Sequence, residues 1–473
     1  MSRPPHIVLL MADQLRADVL GAYGGSFGAS PRLDRLSGES VVFERHLTNC
    51  PLCVPARIAQ ITGTWPHVHG AIVNAWDPGE RPYGTCRNLP TFYEALAGAG
   101  YRVEHVGVDH LRCEPPLAGR HQRIRFSGNA AEHRQMLAER GRRIDVSATK
   151  SPCVDYECGR PVVRDYTNAN TVPWTAPAEE FYDLWIADRA VEAVESADPA
   201  EPLALMAEFW SPHCPLSAPE PYFSMFDPAG LELPETVGRW YPGQSPMQLA
   251  NLPGHVAAAT TMEGWRRAWA VYLGMVRLLD DALGRVLDAL ERRGFLENAL
   301  VVFTSDHGEM LGSHRMFQKM CMYEEAVRVP FWMRPPGGTG GAGKGRGRRA
   351  ALTQHLDLAA TLCDYAGVES PAASRGMSLR RLVEDPSAEG HREVFVEFNG
   401  NSGRSYQQRA LVTPEWKYIH NHGHEPELYS RAADPLETRN LIQQEGGAPA
   451  EAAALRERLR EWMASTGDCI GMD

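Results

Sequence analysis

The sequence predicts an α/β fold, with a large, mostly parallel sheet flanked by helices and a small antiparallel subdomain at the C-terminal end. Three observations support this prediction: short apolar runs end in polar residues, helical patterns lie between these runs, and the pattern changes after about residue 390. Strands that alternate with helices are typical of doubly wound α/β proteins, in which helices cover both faces of the sheet.

Three apolar runs are predicted to form central strands, namely His6–Ala12, Leu203–Phe209 and Ala299–Thr304. A short run that is apolar throughout suits a strand buried on both of its faces. Such strands belong to the middle of a parallel sheet.

Helical patterns are predicted over Leu89–Gly98, Glu179–Glu195 and Trp265–Arg293. In the last of these, apolar residues recur at helical spacing from Tyr272 to Leu290, and Gly294 stands where a helix end is expected.

We predict a main domain over residues 1–389, in which residues 120–180 form an insertion or lid beside the site. A C-terminal subdomain is predicted over residues 390–473. Its elements are the strand-like segments Val394–Phe398, Ala410–Val412 and Trp416–Ile419 and a closing helix over Ala450–Ser465.

The amino-acid composition and net charge indicate which classes of binding partner to expect. The chain has 473 residues, of which 43% are hydrophobic, and carries 48 Lys and Arg against 59 Asp and Glu. The resulting net charge of −11 gives no reason to expect nucleic acid or an anionic membrane as partner.

The ten cysteines are scattered and not arranged as a disulfide framework. The first apolar run is too short to span a bilayer and makes a poor signal peptide, so we expect a cytoplasmic protein.

Polar residues follow each predicted central strand. Asp13 and Gln14 follow the first, His213 follows the second, and Asp306 and His307 follow the third. Ligands of open α/β sheets bind at the carboxyl ends of the strands, so these residues are expected to share one site. Asp13, Asp306 and His307 are candidate ligands of a divalent cation, to which Gln14 adds a neutral oxygen.

A Cys-x-Pro-x-Arg pattern runs from Cys53 to Arg57 and is followed by Thr62-Gly63 and by His67 and His69. This segment resembles the signature of the sulfatase family, which has an alkaline-phosphatase-like fold. The resemblance implies that a formylglycine-generating enzyme oxidises Cys53 to formylglycine, whose hydrated aldehyde is the nucleophile. Near a divalent cation such a diol loses a proton more readily, as metal-bound water does. One oxygen then attacks sulfur or phosphorus, and the other expels the covalent product, a step that a plain thiolate cannot take.

The resemblance extends over nearly the whole chain and implies a role for further residues. Asp13, Gln14, Asp306 and His307 are implied metal ligands alongside modified Cys53. Arg57 braces the diol or the anion, and His213 and Lys319 contact the sulfate and assist the leaving group. Asn74 is expected to face the substrate. The oxygen-rich ligand set with one imidazole suits Ca²⁺, which we favour, or Mn²⁺.

Two positions depart from the usual sulfatase pattern. The first metal-binding pair is Asp13-Gln14 where two Asp residues are typical, and the usual Lys-x-His segment is Val108-Asp109-His110, which keeps the His and lacks the Lys. Both changes occur in relatives that resemble phosphonate monoester hydrolases and phosphodiesterases.

The sequence therefore supports a formylglycine- and metal-dependent hydrolase of sulfate esters, related to arylsulfatases, with an aryl or carbohydrate alcohol. One alternative is a phosphonate monoester or phosphodiester hydrolase on the same fold. Another is a non-catalytic binding protein in which Cys53 is never modified, although the joint presence of Cys53, Arg57, His213 and Lys319 argues against it. The protein is also a candidate homo-oligomer.

Overall fold

A computed structural model describes residues 3–74, 84–157, 160–337, 345–401, 404–444 and 447–472. The strands are, in chain order, β1 (His6–Asp13), β2 (Val41–Leu47), β3 (Cys86–Arg87), β4 (Arg102–Gly107), β5 (Cys113–Glu114), β6 (Ile124–Ser127), β7 (Lys150–Glu157), β8 (Arg160–Thr167), β9 (Thr171–Pro173), β10 (Leu203–Pro212), β11 (Leu216–Ala218), β12 (Ala299–Ser305), β13 (Phe331–Arg334), β14 (Gly347–Gln354), β15 (Val394–Asn401), β16 (Arg404–Val412), β17 (Trp416–Asn421) and β18 (Glu427–Ser430). The α-helices are α1 (Pro31–Gly38), α2 (Cys53–Thr62), α3 (Pro66–His69), α4 (Phe92–Gly98), α5 (Ala130–Glu139), α6 (Tyr182–Glu195), α7 (Met247–Ala250), α8 (Leu252–Ala257), α9 (Met262–Arg292), α10 (Glu324–Val327), α11 (Asp357–Ala366), α12 (Arg380–Glu384) and α13 (Ala450–Thr466).

The central sheet has eight strands in the order β14-β2-β13-β12-β1-β10-β4-β6. Within the part of the chain that the structure describes, β13 alone runs antiparallel to its neighbours in this sheet. The three predicted central strands, β12, β1 and β10, lie side by side and are parallel. The α/β fold class predicted from the sequence is therefore confirmed.

Both faces of the sheet are covered, as the apolar runs indicated. In β1, Val8 and Leu10 pack into the core on the side of α9, while Ile7 and Leu9 pack into the core on the side of α2, α4 and α11. Successive side chains of a strand point to opposite faces, so only a continuous apolar run fills both cores.

The predicted helices form, with ends set by local capping. The first begins at Phe92 and not at Leu89, because Thr91 and Glu94 make a reciprocal capping box. The second begins at Tyr182, after a 3₁₀ turn over Ala178–Glu180. The third starts earlier than predicted, at Met262, where the Thr261 side chain accepts a hydrogen bond from the backbone N–H of Gly264.

Residues 120–180 are more regular than the sequence indicated. β6 extends the central sheet beside β4, α5 follows it, and β7 and β8 form an antiparallel hairpin. The function of this segment as a lid stays a prediction.

The C-terminal strands form a four-stranded antiparallel sheet in the order β15-β16-β17-β18, of which β18 was not predicted. Val396 and Ile419 on one face join the main core, whereas Phe395 and Leu411 on the other face pack with Trp462 of α13. Among the described residues, none of the helices is long and apolar enough to cross a lipid bilayer.

Candidate active site

The carboxyl ends of β1, β10 and β12 bring the predicted site residues together. Asp13 lies in register with Pro212 of β10, and Ala12 lies in register with Ser305 of β12. The residues that follow these strands therefore meet at one edge of the sheet, as predicted. The backbone N–H of Gln14 donates to Asp306 Oδ1 at 3.1 Å, which ties two of the strand ends together.

Four side chains form a compact, buried cluster at this edge. Ligand atoms of Asp13, Cys53, Asp306 and His307 all lie within 4.8 Å of one another. Cys53 is the first residue of α2, and its Sγ lies 3.2 Å from His307 Nε2. The cluster combines carboxylate oxygens with one imidazole nitrogen and the position of the predicted nucleophile.

His307 presents one ring nitrogen to the cluster. Its Nδ1 donates to the Gly308 carbonyl oxygen at 3.0 Å, which leaves the Nε2 lone pair facing Cys53 and Asp13. Burial lowers the pKa of His307 to about 3, so the ring is neutral at pH 7. A neutral imidazole with its second nitrogen held by a backbone carbonyl has the arrangement typical of a metal ligand.

The two carboxyl groups of the cluster suit a divalent cation. Burial and the neighbouring charge of Asp306 raise the pKa of Asp13 to about 8. Burial opposes ionisation of Asp306 as well, but His307 and Arg57 hold the pKa of that carboxyl below its usual range. A cation bound between the two groups would favour the ionised form of Asp13, and hard cations prefer oxygen ligands of this kind.

Arg57 lies against the cluster and is fully buried. Its Nε donates to Asp306 Oδ2 and its Nη2 to Asp13 Oδ2, both at 2.9 Å, while Nη1 donates to Glu208 Oε2. The guanidinium fork therefore holds two predicted metal ligands in place. The predicted contact of Arg57 with the diol or the anion stays a prediction.

Glu208 was not identified from the sequence. It is 2% exposed, lies on β10, and its Oε1 is 3.7 Å from His105 Nδ1. The available signal was a carboxylate inside an otherwise apolar run, because a buried charge requires a partner.

Lys319, His213 and Gln14 form a second group beside the cluster. Lys319 Nζ donates to Gln14 Oε1 and lies 2.9 Å from His213 Nε2. His213 Nδ1 faces the Cys214 carbonyl oxygen, so Nε2 is the nitrogen that accepts from Lys319. In this arrangement the oxygen of Gln14 faces a protein cation, and its role as a metal ligand stays a prediction.

The protonation of this pair follows from its surroundings. Burial and the adjacent charge of Lys319 hold the pKa of His213 well below its ordinary value. Burial alone would lower the pKa of Lys319, but the neighbouring groups of Cys53 and Asp13 raise it. The proton therefore resides on Lys319 Nζ, and His213 is neutral.

The segment that delivers Lys319 has an unusual backbone. Leu311, His314, Arg315, Gln318 and Met320 all have positive φ angles. Such conformations cost roughly 1 kcal/mol or more each in non-glycine residues and require a surrounding structure that enforces them. The buried carboxylate of Glu309 does so at Leu311 and Gln318, because it accepts hydrogen bonds from their backbone N–H groups, and it also accepts one from the Gln14 side chain.

Asn74 and His110 lie at the edges of the site. The Oδ1 of Asn74 accepts from the backbone N–H of Val54 at 3.0 Å, which caps α2 directly beside the nucleophile position. His110 Nδ1 is 3.8 Å from Asp13 Oδ2, and the partly buried ring of Trp210 neighbours the rings of both His110 and His213. The substrate-facing role predicted for Asn74 stays a prediction.

The sequence matches the family described as Sulfatase over residues 5–368 and that described as N-sulphoglucosamine sulphohydrolase, C-terminal, over residues 312–465. An arylsulfatase of Clostridium perfringens is 28% identical over 454 residues, covering 93% of this chain and 91% of the relative. An N-acetylglucosamine-6-O-sulfatase of Bacteroides thetaiotaomicron is 25% identical over 507 residues, covering 98% and 86%.

A similar solved structure is the phosphonate monoester hydrolase of Agrobacterium radiobacter, with a TM-score of 0.77 and 24% identity, covering 98% of this chain and 95% of that one. This likeness supports the alkaline-phosphatase-like fold. Because the match to the family spans most of the chain and includes the whole buried cluster, this protein belongs to the sulfatase family of sulfate ester hydrolases.

Proposed function

We propose that this protein is a formylglycine- and divalent-cation-dependent hydrolase of sulfate esters whose nucleophile is made from Cys53. One observation carries the proposal: Cys53, the first residue of the Cys-x-Pro-x-Arg motif, shares a fully buried cluster with Asp13, Asp306 and His307. A structural cysteine at a helix start has no need of two carboxylates and a neutral imidazole around it.

Asp13, Asp306, His307 and modified Cys53 would hold the cation, with Gln14 as a further oxygen donor. A divalent cation in such a site supplies Lewis-acid stabilisation of the ester oxygens and of the nucleophile. Formylglycine supplies a hydrated aldehyde in place of a thiol. We favour Ca²⁺ over Mn²⁺ because of the oxygen-rich ligand set.

Maturation by a formylglycine-generating enzyme is part of the proposal. Cys53 is 1% exposed in the folded chain. The generating enzyme therefore has to act on Cys53 before the chain has folded around it.

The chain's own residues supply positioning and a proton. Arg57 fixes the two carboxylates in one orientation, and Asn74 fixes the start of α2 and hence the nucleophile. Lys319 carries a proton at Nζ beside neutral His213, so it is the group placed to donate to the oxygen of a departing alcohol. In this arrangement His213 keeps the Lys319 ammonium aimed into the site.

We propose a small-molecule or carbohydrate sulfate ester as substrate. Membership of the sulfatase family and the carbohydrate sulfatase among the relatives support this class. The Trp210 ring beside both active-site histidines offers a flat apolar surface against which an aryl or sugar ring packs.

A phosphonate monoester or phosphodiester hydrolase is the second candidate. The observation that favours it is local: Gln14 replaces a negative ligand, and Val108 replaces a cation that would face the substrate. The site therefore has one fixed negative charge and one fixed positive charge fewer than the usual sulfatase pattern, which weakens the case for a site directed at sulfate esters alone.

Steady-state turnover of p-nitrophenyl sulfate and of p-nitrophenyl phenylphosphonate separates the two candidates. The protein is co-expressed with a formylglycine-generating enzyme, and Cys53→Ala is the control for background hydrolysis. A higher kcat/KM for the sulfate supports the proposal, and a higher value for the phosphonate supports the alternative. The double variant Gln14→Asp, Val108→Lys restores the usual sulfatase pattern and is expected to shift the ratio towards the sulfate.

A further inference from the structure

Two cysteines outside the catalytic cluster face each other across a short parallel ladder. Cys86 of β3 and Cys113 of β5 are in-register partners. Two backbone hydrogen bonds join the strands, one from Cys86 N to Arg112 O at 2.8 Å and one from Asn88 N to Glu114 O at 3.1 Å. Both cysteines are thiols in this structure.

The geometry of this pair suits a disulfide. In-register residues of neighbouring strands point to the same face, and such strands lie about 4.8 Å apart. Disulfides join residues whose α-carbons lie roughly 4.4–6.8 Å apart. The two thiols already contact each other, since they are joined by a side-chain hydrogen bond.

The pair joins β3 to a segment that reaches the active site. Cys113 lies three residues after His110, which is 3.8 Å from Asp13. A covalent bond between the two cysteines would therefore restrain the segment that carries His110.

We propose that Cys86 and Cys113 are a redox-active pair that closes to a disulfide and staples the segment carrying His110 to β3. The oxidant is a low-molecular-weight disulfide of the glutathione class. This inference does not depend on the modification of Cys53 or on the substrate.

The exchange proceeds in two balanced steps. The thiolate of one cysteine attacks one sulfur of the small disulfide, which forms a mixed disulfide and releases one small thiolate. The other cysteine then loses its proton to solvent, and its thiolate attacks the protein sulfur of the mixed disulfide and releases the second small thiolate. Two protein thiols are oxidised, and one small disulfide is reduced to two thiols.

The surroundings of the pair favour a thiolate at one of the two sulfurs. A hydrogen bond joins the two thiols and the positive charge of Arg120 lowers the pKa of both, although burial opposes ionisation. Cys86 is 0% and Cys113 is 8% exposed, but each is followed by an exposed residue, Arg87 and Glu114. A ladder of two-residue strands opens locally at little cost, which admits a small disulfide.

The test is differential alkylation of the native, wild-type protein after equilibration in glutathione buffers of defined ratio. Trypsin separates the two cysteines because Arg87, Arg102 and Arg112 lie between them. Cys363→Ser is the matched control, since Cys363 is also a buried thiol but lies on α11. Cys86→Ser removes one sulfur of the pair.

The expected result is one peptide linked through Cys86 and Cys113 in wild-type protein and in Cys363→Ser, and none in Cys86→Ser. Oxidation is expected to raise the midpoint of thermal unfolding of the wild-type protein, and dithiothreitol is expected to reverse this rise. The midpoint of Cys86→Ser is expected to be the same with and without dithiothreitol. Full alkylation of both thiols in oxidising buffer, or a link from Cys86 to another cysteine, would overturn the proposal. A linked peptide with no change in the thermal midpoint would overturn the stapling role.

Discussion

Arg57 Nη2 donates to Asp13 Oδ2 at 2.9 Å, and both side chains are 0% exposed. The same guanidinium reaches Asp306 and Glu208, so one cation serves three buried carboxylates. Within this network a single fork geometry sets the orientation of two predicted metal ligands. The geometry of the buried cluster therefore depends on Arg57, which is not itself one of the four cluster residues.

Arg57→Lys is predicted to lower metal content and turnover together. Lysine keeps the charge but presents all its donors from one nitrogen, so it cannot match the spacing of the three carboxylates that the planar fork bonds. A buried carboxylate left unpaired by this change would lower the free energy of unfolding by about 3–5 kcal/mol. Elemental analysis, kcat and thermal unfolding test this, with the exposed Arg87→Lys as control. Normal metal content at a normal rate would show that the fork is dispensable.

Glu208→Gln is predicted to slow turnover while the fold is retained. Glutamine preserves the volume but removes the charge that orients Arg57, and outer-shell changes at metal sites typically cost about 10–100-fold in affinity or activity. Glu104→Gln is the matched control, because Glu104 is a buried carboxylate on the neighbouring strand that pairs with Arg102. Metal affinity is measured beside kcat and KM. An effect as small as that of the control would remove Glu208 from the positioning network.

Lys319→Met is predicted to lower kcat by about 10²–10⁴-fold, as expected for loss of a proton donor. The loss should be larger for an alkyl sulfate than for p-nitrophenyl sulfate, because a poor leaving group depends more on protonation. Rates of both esters are compared in wild type, Lys319→Met and His213→Gln. An equal loss for both esters would assign Lys319 to sulfate binding and not to proton donation.

His67 is predicted to stabilise the protein in a pH-dependent way. Its backbone N–H and Nδ1 lie 2.7 and 2.8 Å from the two carboxylate oxygens of Glu397, which joins α3 to the C-terminal sheet. Burial alone would lower the pKa of His67, but the hydrogen bond to Glu397 raises it above 6.5, with a further contribution from Asp468.

Because the folded-state pKa is raised, this stabilisation is fully present below pH 6.5 and is lost as the pH rises through the folded value. His67→Gln should therefore lower the thermal midpoint more at pH 6 than at pH 9, relative to wild type. Thermal unfolding of both proteins across this range is the measurement. A difference between the two proteins that does not vary with pH would show that His67 is not charged in the fold.

The site could be predicted from the sequence because its polar residues stand directly after apolar runs that form strands. Asp13, His213 and Asp306 were placed together from strand ends alone, since parallel strands that neighbour one another end at the same edge. Cys53 was predicted to belong to the site from the Cys-x-Pro-x-Arg motif that it shares with Arg57. These inferences depend only on local pattern and on the rule for parallel sheets.

The partners of Glu208 and Glu309 could not be predicted from local pattern, although the position of Glu208 in an apolar run indicated that it requires one. Glu208 meets Arg57 across 151 positions of sequence, and Glu309 meets Gln14 across 295. Hydrogen bonds between distant segments depend on the tertiary structure. The left-handed backbone at five positions around Lys319 was equally hidden, because most of these residues are types that rarely adopt it.

The most direct test of the central claim is the dependence of turnover on formylglycine at residue 53. Preparations with different levels of co-expressed generating enzyme are assayed with p-nitrophenyl sulfate, and the converted fraction of the Cys53 peptide is measured by mass spectrometry. We predict that turnover is proportional to that fraction and absent in Cys53→Ala. Equal turnover in unconverted protein, or in Cys53→Ala, would contradict a nucleophile made from Cys53.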